Sequence, residues 1–207
     1  MKEGRRHFNK GNAFGVILSV KATRVHDVPA VDVVLDCNSS RHGKARCYGR
    51  IWGARSQDFL KWHKGQTDKI IKVEGFYSQF KKEGSDEYLS NLVIYKYEGN
   101  RSDETPRAGF ILTGELSGVQ DADGGEKLIT MLVCRRKSED DNNPINETFR
   151  LYLHPKDAKR IKWPDDISTG SMIAVKGLIS QMGEKDYISD EFMGEVRPYI
   201  KEASFPK

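Results

Sequence analysis

The 207-residue chain has little cysteine. Three cysteines do not make the even-numbered disulfide framework of a small secreted domain. Long apolar runs are missing too. The longest, Ala13 to Val20, is strand-sized and far short of the roughly 18 residues a membrane span needs. The segment Met1-Lys2-Glu3-Gly4-Arg5-Arg6-His7 lacks the apolar stretch of a secretory signal. These absences point to a soluble protein of a reducing cytoplasm with no membrane partner. Signatures of common chemistries are also absent. There is no G-x-x-x-x-G-K-[ST] phosphate loop and no G-x-S-x-G, H-E-x-x-H or C-x-x-C. Carboxylates abound, but no pair is singled out as acid and base. Cys37, His42 and Cys47 have half the spacing of a zinc knuckle, and the upstream C-x-x-C is missing. Tetrahedral zinc wants four ligands, so two buried thiols across a hairpin are expected. Neither a metal, nor a cofactor, nor an enzymatic activity is expected.

What the chain does have is charge and aromatics. Charged residues make up 31%, and Phe 9, Tyr 8 and Trp 3 can build a core. The net charge of +4 hides an asymmetry. Residues 1–100 hold 18 basic and 11 acidic side chains, hence +7; the remainder holds 16 and 19, hence −3. Between these halves, Glu98-Gly-Asn-Arg-Ser-Asp-Glu-Thr-Pro106-Arg has no apolar period and reads as a linker.

The halves also repeat one another. Val73-Glu-Gly75-Phe-Tyr-Ser78-Gln79 matches Val175-Lys-Gly177-Leu-Ile-Ser180-Gln181. Tyr88-Leu-Ser90 matches Tyr187-Ile-Ser189, which makes the second hairpin three residues shorter. Tyr48 to Trp62 and Phe149 to Trp163 have equal length, and both end Lys-Trp. Val34-Leu-Asp-Cys37 aligns with Met131-Leu-Val-Cys134. Four matches in one order predict two similar globular domains, 1–98 with a basic N-terminal tail and 108–207, joined by a linker at 99–107.

Each half reads strand, strand, strand, helix, strand, strand. Strands are expected over 13–25, 30–38 and 44–52, then a helix over 55–64, then strands over 69–82 and 86–97. The second copy follows with 109–119, 126–137 and 147–154, a helix opening at Pro155 and reaching Trp163, then 171–183 and 187–199. That order is the order of an OB-fold, a five-stranded Greek-key barrel with a helix between strands three and four. The expected fold class is therefore all-β with short helices, as two tandem OB-fold barrels.

The first copy carries Trp52-Gly53, a short helix, Lys64-Gly65-Gln66, then Ile71-Lys-Val73-Glu74-Gly75. This resembles bacterial and phage single-stranded DNA-binding proteins over about 60 residues, less so in the second copy, where Leu153-His154 replaces the aromatic-Gly pair. The resemblance implies an OB-fold, single-stranded DNA as partner, and a role in replication or recombination. Housekeeping members end in a flexible acidic tail, whereas this chain ends Lys201-Glu-Ala-Ser-Phe-Pro-Lys207. With two domains, it looks like a phage-, plasmid- or mobile-element-type member, and recruitment through a tail is not expected.

Holding single strands without sequence preference takes a cationic groove for phosphates and flat side chains for bases. The interval from Arg41 to Arg55 holds Arg41, Lys44, Arg46, Arg50 and Arg55 and no acidic residue. Within it Tyr48, Arg50 and Trp52 alternate onto one strand face, opposite Cys47, Gly49 and Ile51 on the core side. The alternative is that Trp52 packs inside and the arginines are solvated charge. A second candidate is the hairpin with Tyr77, Phe80, Lys81 and Lys82, whose alternative is a solvated turn anchored by Phe80. Tyr88 adds a third platform or serves structure. Trp62 and Trp163 read as core. Gly75 and Gly177 read as bends at barrel corners.

In the second copy the outward row is expected to be Arg150, Tyr152 and His154, with Arg135 on the neighbouring strand. Glu139, Asp140 and Asp141 follow and would repel phosphate. That domain either extends the nucleic-acid track or serves as scaffold and protein contact, including self-association into a homo-oligomer. The rival readings of the whole chain are an RNA-binding protein and a protein-interaction module.

Overall fold

The computed structural model describes residues 7–39, 45–66, 70–81, 84, 88–99, 104–135, 145–161, 167–181 and 196–206. The chain is mostly β. Its elements are β1 (Phe8–Val25), β2 (Val28–Asp36), β3 (Arg46–Trp52), α1 (Ala54–Lys64), β4 (Ile70–Lys81), β5 (Tyr88–Gly99), β6 (Arg107–Asp121), β7 (Lys127–Arg135), β8 (Ile145–Leu153), α2 (Pro155–Ala158), β9 (Met172–Gln181) and β10 (Val196–Ser204). Strand, strand, strand, helix, strand, strand occurs twice, as the sequence predicts. No helix among the described residues is long and apolar enough to cross a membrane.

The chain divides into two compact units. The first comprises Lys10–Gly109 with Ile179–Arg197. Its strands run in the order β2-β3-β5-β4-β1, and β2 also pairs with β1. Alternation builds the core: Val31, Val33 and Leu35 of β2 point inward with Cys47 and Ile51 of β3 and Ile71 and Val73 of β4. The β1–β2 hairpin turns on His26 and Asp27 with φ of 48° and 63°. Two consecutive left-handed residues give the twist that a two-residue hairpin loop needs.

The second unit comprises Met1–Asn9, Phe110–Leu178 and Pro198–Lys207. Its order is β6-β7-β8-β10-β9, and β6 also pairs with β9. Here Leu112, Ile129, Met131, Phe149, Leu151 and Val175 fill the interior. His7 groups with this unit, and its Nδ1 accepts the Cys134 N–H at 2.8 Å. The two units share a detail beyond strand order. A bulge interrupts β1–β2 pairing between Ile17 and Ser19, and β6–β7 pairing between Leu116 and Gly118.

The structure corrects three expectations. First, α2 spans one turn and stops at Ala158. His154 caps it, accepting the Lys156 N–H at 3.2 Å, and Pro155 starts it. It buries no side chain, so nothing offsets the cost of ordering a longer helix. In α1, by contrast, Phe59 is fully buried. Trp163 lies outside the described residues.

Second, the register of the last strand pair does not follow the Tyr88–Tyr187 match; the chain between β9 and β10 lies outside the described residues. A Cβ on Gly75 would run into the Val93 carbonyl, and one on Gly177 into the Tyr199 carbonyl. Only glycine lets the two backbones meet this closely, so these contacts fix the register of each strand pair. Gly75 and Val93 are 18 positions apart, whereas Gly177 and Tyr199 are 22 apart. Third, β8 lies one residue off the equal-length alignment. Arg50 pairs with Asp32 and Val93; Tyr152 pairs with Leu128 and Tyr199. Tyr152 therefore stands where Arg50 stands, and Tyr199 where Val93 stands.

Candidate nucleic-acid interface

Strand β3 presents Arg46, Tyr48, Arg50 and Trp52 outward, with Cys47, Gly49 and Ile51 buried on the other side. Trp52, at the end of the strand, is 36% exposed, one of the most accessible large apolar side chains. The Arg50 guanidinium lies 5.2 Å from its ring centroid, in reach of a cation–π contact. Tyr48 departs from expectation. It is on the outward row but only 7% exposed, so its ring offers little face to a ligand.

The row is less cationic than its own sequence suggests, because β2 supplies carboxylates across the ladder. Asp32 sits opposite Arg50, and Asp36 opposite Arg46. Arg50 Nε donates to Asp32 Oδ1 at 2.6 Å and its Nη2 to Oδ2 at 3.1 Å, a bidentate pair. Such fork-to-fork contacts fix geometry as well as charge. Arg50 thereby becomes a strut: anchored by Asp32, it backs Trp52. Asp32 and Asp36 were missed as members of this site. Their spacing of four puts both on one face of β2, which was the available signal.

Arg55 lies on α1, in its first turn, exposed and off the β3 row. Arg41 and Lys44 lie outside the described residues. In the hairpin candidate, Tyr77 is fully buried and cannot stack with a ligand. Its hydroxyl lies 2.8 Å from Ser90 Oγ and accepts from Gln79 Nε2 at 2.8 Å. Burial pushes its phenol well above the ordinary range. The reason is parity: Tyr77 follows Ile71, Val73 and Gly75 on the inward face of β4. The outward neighbour, Phe76, is instead 36% exposed, with its centroid 5.2 Å from that of Tyr95. The backbones of Phe80 and Lys81 pair with Leu89 and Tyr88. Their side chains, and all of Lys82, lie outside the described residues. Tyr88 is half-buried.

Other cations of this unit are also engaged. Lys10 meets Glu74 at 3.0 Å, and Lys72 meets Glu98 at 3.4 Å and Glu74 at 3.6 Å. The hydrogen bond from Lys10 holds the Glu74 carboxyl below its ordinary range. Trp62 packs on Phe59 at 5.5 Å and Tyr97 at 4.9 Å, joining α1 to β5. That is a structural setting.

In the second unit, Arg150 and Tyr152 are half-exposed on the outward row, with Phe149, Leu151 and Leu153 buried beneath. Arg135 ends β7 opposite Ile145, and its side chain lies outside the described residues. Cys37 and Cys47 are buried in the first unit, and burial raises both thiols, Cys47 to about 12. His42, the middle of that spacing, lies outside the described residues. Among those described, no group of three or more His, Cys, Asp or Glu could hold a metal ion.

No protein-family model matches the chain, and no curated protein matches its sequence. Solved structures do. The wild-type single-stranded DNA-binding protein from Thermus aquaticus is similar at a TM-score of 0.62 and 13% identity, over 98% of this chain and 94% of that one. A deletion variant of the same protein is similar at 0.63 and 13%, over 98% and 96%. At that identity, the likeness is one of fold.

Proposed function

We propose that the chain binds single-stranded DNA, each unit being a five-stranded OB barrel, and that it serves replication or recombination. The carrying observation is Trp52, an exposed indole at the end of β3 backed by the anchored Arg50 guanidinium. A ring backed by a cation on one side keeps its other face for a base. Stacking of this kind contributes about 1–3 kcal/mol per base and tolerates any sequence. Phosphates are met by Arg46, Arg55 and the basic segment holding Arg41 and Lys44. The fold shared with the Thermus aquaticus protein, which is a single-stranded DNA-binding protein, supports the reading.

The test is a titration with oligo-dT, oligo-U and duplex DNA, following tryptophan fluorescence at two salt concentrations. Oligo-dT should quench, duplex should do little, and log K should fall with log salt by about 0.7 per phosphate neutralised. Trp52→Ala should lose roughly 5- to 100-fold in affinity for oligo-dT with an unchanged circular-dichroism melt. Absence of binding to every polymer at low salt would sink the proposal. Tighter binding to oligo-U than to oligo-dT would make RNA the partner.

A further inference from the structure

The outward face of the second unit is the less acidic along its β7–β8 ladder. Where the first unit sets Asp32 across from Arg50 and Asp36 across from Arg46, the second sets Leu128 across from Tyr152 and Leu132 across from Thr148. Between them Thr130 faces Arg150. No carboxylate stands in register along this row. Among the described acidic residues, Asp121 and Asp123 lie at the β6–β7 turn.

Two rings come together where the first unit has an arginine and a valine. Tyr152 on β8 and Tyr199 on β10 are register partners on parallel strands. Their centroids are 6.0 Å apart, at 47° between planes. Both are half-exposed. Lys201, two residues on and so on the same face, holds its ammonium 5.8 Å from the Tyr199 centroid. Asp157 of α2 fixes that lysine at 2.8 Å.

We propose that Tyr152 and Tyr199 form a second stacking platform for single-stranded DNA, with Arg150 as its phosphate contact. The proposal rests on the single-stranded DNA reading above and gives the strand a second point of hold. Its chemistry differs from the first. Lys201 is already neutralised by Asp157, so the platform holds bases mainly by stacking, and its contribution depends little on salt.

Two measurements on the full chain test it. In the first, oligo-dT carrying 5-iodo-dU is bound, irradiated, and the crosslinked peptides are sequenced by mass spectrometry. Tyr152 or Tyr199 is expected among the crosslinked residues, beside Trp52. In the second, fluorescence anisotropy follows labelled oligo-dT of increasing length. Tyr152→Leu and Tyr199→Leu should each weaken the longer oligomers by roughly 5- to 100-fold, with an unchanged salt slope. Tyr152→Phe and Tyr199→Phe should retain affinity. Arg150→Gln should instead lower the salt slope by about 0.7. Should Tyr199→Leu fail to fold, Tyr152→Leu and the crosslink still decide. If wild type binds oligo-dT and Trp52→Ala weakens it, while the folded tyrosine variants bind normally and no crosslink reaches β8 or β10, this proposal fails alone. If wild type does not bind oligo-dT, the underlying reading fails with it.

Discussion

Removing Arg50 should unfold the first unit more readily than it releases DNA. The residue makes two charge-assisted hydrogen bonds to Asp32, at 2.6 Å and 3.1 Å. The Arg50 side chain is 21% exposed and that of Asp32 10%. An exposed pair would contribute about 0–1 kcal/mol, and breaking a fully buried one would cost about 3–5 kcal/mol. This pair lies between, nearer the buried case for the aspartate. Arg50→Ala strands the less exposed carboxylate and should cost about 2–3 kcal/mol. Asp32→Ala leaves a longer cation that can turn to water, so about 1–2 kcal/mol is expected. In the double variant no charge is stranded, and its cost should fall below the sum of the singles. Urea unfolding of the four proteins at pH 7 measures each value from the shift in midpoint at constant slope. Salt titration of oligo-dT binding supplies the second arm. Asp32→Asn frees the guanidinium to meet a phosphate, so its log K against log salt should steepen by about 0.7. An Arg50→Ala protein with an unchanged urea midpoint and abolished oligo-dT binding would refute the strut and make Arg50 a direct phosphate contact.

Trp62→Ala should destabilise by about 2–3 kcal/mol in urea, because the indole joins Phe59 to Tyr97 yet is only half-buried. Oligo-dT affinity of the folded fraction should stay within twofold. Gly177→Ala should cost more than about 2 kcal/mol, since the new methyl would strike the Tyr199 carbonyl and the Phe110 ring; a neutral thermal melt would contradict the register drawn from it. Cys37 and Cys47 should resist a thiol reagent at neutral pH until the protein unfolds, leaving half-exposed Cys134 to react first. Because folding raises Cys47 from about 9 to about 12, the unfolded chain loses its proton first. Stability should therefore fall as pH rises from about 9 to about 12, and Cys47→Ala should flatten that part of the profile.

Much of this fold is legible from local pattern. Period-two alternation separates Cys47, Gly49 and Ile51 from Arg46, Arg50 and Trp52, and the repeated segments announce the repeated strand order. The same alternation already placed Tyr77 inward with Ile71 and Val73 and Phe76 outward. Reading Tyr77 by its nearness to Phe80 and Lys81 overlooked it. What one strand cannot carry is the identity of its neighbours. Aspartates 32 and 36 precede the basic interval by several residues, and only antiparallel pairing brings them opposite Arg50 and Arg46. Residue-type matching likewise joined Tyr88 to Tyr187, whereas the register depends on where glycine admits a carbonyl.

That distinction changes what the charge asymmetry means. The +7 of the first hundred residues is a sum, and a sum acts at a distance. It can steer a polyanion over roughly a Debye length, about 10 Å at 0.1 M salt. At contact, Arg50, Lys10 and Lys72 already have carboxylates to hold. In the second unit Leu128, Thr130 and Leu132 face the Tyr152 row across the ladder. Under the proposed function, the two units then differ in rate rather than simply in affinity. Neutralising exposed cations of the first unit, such as Arg55, should slow association, with the effect vanishing at high salt. Replacing Tyr152 or Tyr199 should speed dissociation at any salt, because stacking energy is lost only once the strand is bound.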